Sequence, residues 1–295
     1  MSLWIVFTLF GAVGQVLRNA MQRQLTGPLG IWGATNIRFV FGLPFSLVFF
    51  LFALAFTGAP VTLPTAPFWP WLLLGALCQI LATGLMLLAM TDRSFVVTTA
   101  YLKTEAIQTA IFGLVFLGDS LGGLKLLAIV IATSGVAVAG VRFGKGTDFA
   151  EIRPLLTGLC AAACFALSAV GFRGAILAVG NASFVTAASL TLVLGLFTQT
   201  LILTLFLLLR GRDVMRAMLA LWKPSLFAGF IGALASQFWF LAFALTAAAN
   251  VRTLALIEVL FAQLVAAWSL GQKVSWRELA GCALIVAGVG LLIAV

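Results

Sequence analysis

Long apolar runs broken by short polar or Gly/Pro-rich stretches dominate the chain from end to end. A helix crossing a hydrocarbon core of about 30 Å needs about 20 mostly apolar residues, because each residue rises only about 1.5 Å. Runs of that length predict ten spans: Ser2–Gln24, Gly30–Phe56, Trp69–Met90, Ser94–Leu117, Gly122–Val141, Pro154–Val179, Ser183–Leu209, Trp222–Ala247, Val251–Leu270 and Arg277–Val295. The breakers agree with this division: "TGPLG" after the first span, "TGAPVTLPTAPFWP" after the second and "RFGKGTDFAEIRP" near the middle. The opening segment lacks a basic n-region and a small-residue cleavage site, so it reads as a first span and not as a cleaved signal peptide.

Composition narrows the class further. The 295 residues are 63% hydrophobic and only 8% charged, whereas soluble domains carry roughly a quarter charged residues. This excludes a soluble enzyme, a disordered chain and a nucleic-acid binder. Histidine is absent, which removes Ser-His catalysis and imidazole metal sites. Cys78, Cys160, Cys164 and Cys282 all lie in apolar runs and read as small hydrophobes. Cys160 and Cys164 share a helical face, but no further ligand lies near them in sequence. No phosphate loop or nucleotide motif is present, so no cofactor, metal or internal ATPase is implied.

The net charge of +9 belongs to the connections. With the spans numbered in order, the odd connections hold twelve cations and the even ones only Lys125, Arg173 and Arg252. Positive residues favour the cytoplasmic side, so both termini are predicted outside. The loop "RGRDVMRAMLALWK" carries the most weight.

A shift of 153 residues aligns the two halves of the chain. Glu105 then meets Glu258, Gly118 meets Gly271 and Gly135 meets Gly288. Glutamate is rare here, so its coincidence outweighs the Leu and Ala matches around it. Five spans per copy is an odd number, which makes the second copy enter the membrane from the other side. The fold predicted is all-α and integral to the membrane, ten transmembrane helices in a 5+5 inverted-topology repeat, with halves at residues 1–148 and 149–295. Such repeats build many secondary transporters, with the site near the midplane between the halves.

The sequence resembles the drug/metabolite transporter superfamily, specifically proteins with two EamA-type repeats. "GPLGIWGATNIRF" looks like that family's entry into the second span, ending in Arg38-Phe39. "TEAIQTAIFGLVFLGDSLGGLKLLAIVIATSGVAV" and "IEVLFAQLVAAWSLGQKVSWRELAGCALIVAGVGLL" look like its last two spans in each repeat. Two features depart from the pattern: Ala106 and Val259 stand where a proline is common, and Gln272 stands opposite Asp119. The chain looks most like bacterial aromatic amino-acid exporters of the inner membrane. The resemblance implies a non-enzymatic transporter with a small-molecule substrate and the lipid bilayer as partners, functional as a monomer.

Ionisable groups inside a bilayer are costly and face protein or a cavity. Arg38, Lys103, Glu105 and Glu258 are four candidates well inside the predicted spans, and their charges cancel. They either line a substrate cavity or form ion pairs across the repeat interface. Lys103 and Glu105 are two residues apart and point to different faces. Tyr101, Gln108 and Thr109 share the face of Glu105, and Gln15, Arg18, Asn19 and Gln22 form a polar stripe on the first span. Gln79 and Gln237 are further mid-span amides, lining the cavity or tying helices together. Trp239 lies mid-span, away from the interfaces where Trp4, Trp32, Trp69, Trp71, Trp222 and Trp276 fall, and with Tyr101 it is a candidate to stack on a planar substrate. The sequence thus predicts an exporter or facilitator of small amphipathic metabolites, aromatic or neutral amino acids foremost, working by alternating access. The alternatives are a nucleotide-sugar, phosphate-ester or cationic-drug carrier, and, from another class, a membrane-embedded lipid enzyme or structural subunit. Phosphate esters call for more internal cations than Arg38 and Lys103 supply.

Overall fold

The computed structural model describes residues 2–60, 62–92, 101–119, 122–140, 152–180, 183–260 and 276–295. Among them the regular structure is helical throughout: α1 (Leu3–Val40), α2 (Leu43–Thr57), α3 (Phe68–Asp92), α4 (Glu105–Phe112), α5 (Gly123–Gly140), α6 (Ile152–Leu177), α7 (Phe184–Arg210), α8 (Arg212–Ala220), α9 (Trp222–Leu245), α10 (Ala248–Leu254) and α11 (Trp276–Ala294). A π turn over Gly113–Leu117 extends α4, and a 3-10 turn over Ala255–Ile257 follows α10. Five helical stretches among the described residues are long and apolar enough to cross a membrane. Their outward faces are apolar, with Leu51, Phe52, Phe56 and Leu209 among the most exposed side chains.

Four elements differ from the sequence reading. The expected loop at "TGPLG" is a kink inside one long helix, with Pro28 in the turn and Gly30 at φ 65, ψ 177. Proline removes one helical hydrogen bond, and only glycine adopts that backbone without strain, so one residue turns the chain where a loop was expected. Gln22 spans the kink by donating to the carbonyl of Ala34. The basic loop after α7 is instead the short helix α8. Its Val214 and Met218 pack against Gly33, Leu25 and Leu29, while Arg216 and Asp213 stay in solvent. The segment expected to span from Val251 opens instead as the short helix α10 at Ala248, which places Arg252 in mid-helix and not at its first turn. The fourth span is interrupted: Lys103 and Thr104 lie in a turn before α4. Its Ser94–Ala100 portion, the Phe261–Leu270 portion of the ninth span, and Arg93, Arg142, Lys145, Gly271, Gln272 and Lys273 lie outside the described residues.

The most extensive helix pairings are α3 with α6, α1 with α9 and α5 with α11, followed by α2 with α7. The 153-residue shift relates these pairings to one another, since it carries α1 onto α6 and α3 onto α9. One close backbone approach obeys the same shift. A Cβ on Gly135 would lie 2.7 Å from the Gly281 carbonyl and 2.8 Å from the Ile285 amide. A Cβ on Gly288 would lie 2.7 Å from the Ala128 carbonyl and 2.5 Å from the Ala132 amide. Each of these contacts maps onto the other when residue numbers are exchanged by 153, and each needs glycine because backbone meets backbone.

Candidate functional site: a buried polar cavity between the halves

The polar cavity lies where α1, α3, α6, α9 and α10 converge. The first half contributes Gln15, Arg18, Arg38 and Gln79 to its wall. The second half contributes Ser168, Ser236 and Arg252, with Phe165, Ala169, Phe172, Trp239, Phe240 and Phe243 as the apolar lining. The open space between these side chains is water-sized, so the cavity stands closed down.

Helix periodicity explains the convergence. Gln15 and Arg18 are one turn apart on α1, and Ser236, Trp239, Phe240 and Phe243 recur at helical spacing along α9. Gly232 on α9 makes room for the arginine stems. A Cβ there would meet Arg38 Cγ at 3.2 Å and Arg18 Cδ at 3.5 Å. Gly11 and Gly14 of α1 similarly admit Trp239 and Ala235 of α9, at 3.1 and 2.8 Å from the missing Cβ positions.

Arg38 is 2% exposed and donates to Thr83 Oγ1 at 3.4 Å and to Ser236 Oγ at 3.3 Å. Its Nε has no hydrogen-bond partner. Arg18 is buried to the same degree and donates Nε and Nη2 to Asn19 Oδ1, at 3.3 and 3.0 Å. Gln79 accepts from Gln199 Nε2 at 2.9 Å, which holds its amide in place. The Arg252 guanidinium lies over the Trp239 ring at 4.6 Å and near the Phe243 ring at 5.3 Å. Ser168 Oγ and Trp239 Nε1 are buried without partners.

Both glutamates sit behind this wall, each held by a cation of the opposite half. Glu105 Oε1 lies 2.7 Å from Arg252 Nε. Glu258 is paired with Lys103. Lys103 and Glu105 thus have separate partners, as their spacing implies. Of the two readings open from the sequence, an ion pair across the interface describes Glu105, Glu258 and Lys103, and cavity lining describes Arg38.

The other candidates divide in the same way. Gln15, Gln79 and Trp239 reach the cavity with Arg38. Tyr101 packs against Gly158 of α6, Gln108 donates to Thr104 Oγ1 at 3.2 Å, and Gln237 donates to Ser189 Oγ at 2.8 Å. Asn19 supports the wall through Arg18. The sequence reading missed Arg252, Ser168 and Ser236. Arg252 was counted as a loop cation, although no Gly or Pro separates "AANVRTLALIE" from the span it opens. The serines carried no signal, because small hydroxyls pack anywhere in such a chain.

Beside the cavity, Arg173 of α6 closes a second polar cluster. It donates to the carbonyls of Phe243, at 2.7 Å, and Thr246, and forms an ion pair with Asp119 at 3.4 Å. These bonds join α6 to the end of α9 and to the segment after the π turn. Arg173, like Arg252, is therefore a helix residue with buried partners and not a loop cation.

Comparison with known proteins agrees with this architecture. A crystal structure of another protein shares the fold with a TM-score of 0.67 at 14% identity, over 97% of this chain and 95% of that one. No curated protein sequence matches the chain. Residues 152–294, just under half of the chain, match the model of the EamA-like transporter family.

Proposed function

We propose that the protein is a secondary membrane transporter of the drug/metabolite transporter superfamily. On this reading it moves small amphipathic metabolites by alternating access, through ten spans arranged as two inverted halves. The single observation that carries the reading is the buried polar cavity, whose wall draws Arg38 and Gln79 from one half and Ser236 and Arg252 from the other. Polar groups are expensive inside a bilayer and collect where a solute passes. The exchange of contacts at Gly135 and Gly288 supports two halves that can trade conformations. The closed-down cavity fits an occluded state that widens to admit its solute.

Aromatic and neutral amino acids remain the substrate class that the resemblance implies, and the Trp239, Phe165 and Phe172 lining suits a flat apolar body. The phosphate-ester alternative gains ground from one observation. The wall carries Arg18, Arg38 and Arg252, more cations than the sequence reading allowed for. A cationic-drug carrier loses ground, because no carboxylate among the described residues lies on the wall.

Purified protein in liposomes tests the reading. Saturable, protein-dependent flux of small amphipathic solutes is expected, reduced at least tenfold by Arg38→Gln. Absence of any such flux across a panel of amino acids and organic acids, with the protein folded, overturns it; lipid turnover in its place would point to an enzyme.

A further inference from the structure

Charge bookkeeping in and behind the cavity wall does not balance. Among the described residues, four cations are buried there, Arg18, Arg38, Lys103 and Arg252, against two carboxylates, Glu105 and Glu258. Arg252 is matched by Glu105 and Lys103 by Glu258. Among the described residues, Arg18 and Arg38 have no carboxylate partner. Their stems lie side by side over Gly232. Buried charges are otherwise paired, so two adjacent unpaired guanidiniums form a site that an incoming anion completes.

The unpartnered buried atoms point the same way. Arg38 Nε and Trp239 Nε1 can only donate, and the Ser168 hydroxyl can donate too. All three belong to cavity-lining residues, each at most 3% exposed. What a zwitterion would additionally require is missing: among the described residues, no carboxylate lines the cavity. Trp239, the wall's best ring for holding an ammonium, already carries the Arg252 guanidinium 4.6 Å from its centre.

We propose that the cavity selects organic anions with a flat apolar body and discriminates against zwitterions and cations of the same shape. Arg18 and Arg38 hold the anionic head, with Ser168 as an added donor. Phe165, Phe172 and Trp239 enclose the ring. This rests on the transporter reading, and it replaces amino acids by acids that lack the ammonium group as the favoured substrates.

The test uses three probes that share a phenylethyl body and differ in charge: 2-phenylethanesulfonate, L-phenylalanine and phenethylammonium. Binding is measured by titration calorimetry on the purified protein, and flux by counterflow in liposomes. The sulfonate is a permanent anion and does not leak across the bilayer as a protonated acid. The sulfonate is expected to bind at least tenfold more tightly than phenylalanine, with no saturable binding of the ammonium. Arg38→Gln should erase that preference while the protein keeps a cooperative melt. Should Arg38→Gln fail to fold, Ser168→Ala serves in its place, and a sulfonate affinity lowered at least threefold is expected. Phenylalanine or the ammonium binding as tightly as the sulfonate overturns the selectivity and leaves the transporter reading standing, as does unchanged sulfonate affinity in the substituted protein. Binding and flux of none of the three, with folded protein, overturns both.

Discussion

Glu105 and Arg252 meet in a setting where removing one partner should be felt strongly. Their side chains are 10% and 8% exposed, and Oε1 lies 2.7 Å from Nε. Unit charges roughly 4 Å apart attract by about 4 kcal/mol at an effective dielectric constant of about 20. Breaking a buried pair by deleting one member typically costs about 3–5 kcal/mol, since the other charge is left without compensation. Glu105→Gln keeps the side-chain volume and removes only the charge. It should destabilise the protein by about 3–5 kcal/mol in denaturant unfolding of the micelle-embedded protein. Glu105→Gln combined with Arg252→Gln removes both charges and should cost less than the sum of the two singles by about 2 kcal/mol or more. Flux should fall as well, because the same guanidinium stacks on Trp239 at the cavity wall. Two single variants that each cost under about 1 kcal/mol, and add without coupling, would refute this reasoning. A Glu105→Gln variant of unaltered stability but without flux would point to direct contact with the solute or a coupling proton, and away from an ion pair.

Other positions give sharper local tests. Lys103→Met alone should destabilise through the stranded Glu258 carboxylate, and Glu258→Leu added to it should recover part of the loss, read from the same unfolding curves. Gly288→Leu should lower the melting temperature and yield of folded protein, because its Cβ would fall 2.5 Å from the Ala132 amide of α5; Gly290→Leu, one turn-fraction away with open space at its Cβ, should not. Gly232→Ala should leave the melt nearly unchanged yet reduce flux severalfold, since the added methyl would press on Arg38 Cγ at 3.2 Å. Asp119→Asn weakens the ion pair that orients Arg173 but leaves its bonds to the Phe243 and Thr246 carbonyls, so a loss of about 1–3 kcal/mol is expected in unfolding assays.

Much of the architecture was legible because a bilayer imposes one rule. Every backbone polar group must be satisfied within the span, so apolar runs of sufficient length become helices. Helices α3, α5, α6, α7, α9 and α11 begin and end close to the expected limits for that reason. The misreadings share a different cause. "TGPLG" holds turn residues, yet Gly30 alone supplies the change of direction and the helices on either side abut. α8 was hidden by its four neighbouring cations, although Val214, Met218 and Leu221 already mark one face of a helix. The pairing of charges depends on which helices become neighbours, and that is not written in any local pattern. The stripe of Gln15 and Arg18, together with Arg38, Gln79 and Trp239, could be picked out as unusual polar or aromatic positions in apolar runs. That Glu105 would meet Arg252, and Glu258 would meet Lys103, needed the packing of α4 against α10.

Alternating access requires the cavity lined by Ser168 to open in turn to each side of the membrane. Ser168→Cys in a background with Cys78, Cys160, Cys164 and Cys282 replaced, reconstituted in liposomes of known orientation, tests it with a membrane-impermeant thiol reagent supplied from one side at a time. Labelling from either side, slowed by a bound organic anion, is the expected result. Labelling from one side only, or from neither while the protein supports flux, would contradict it.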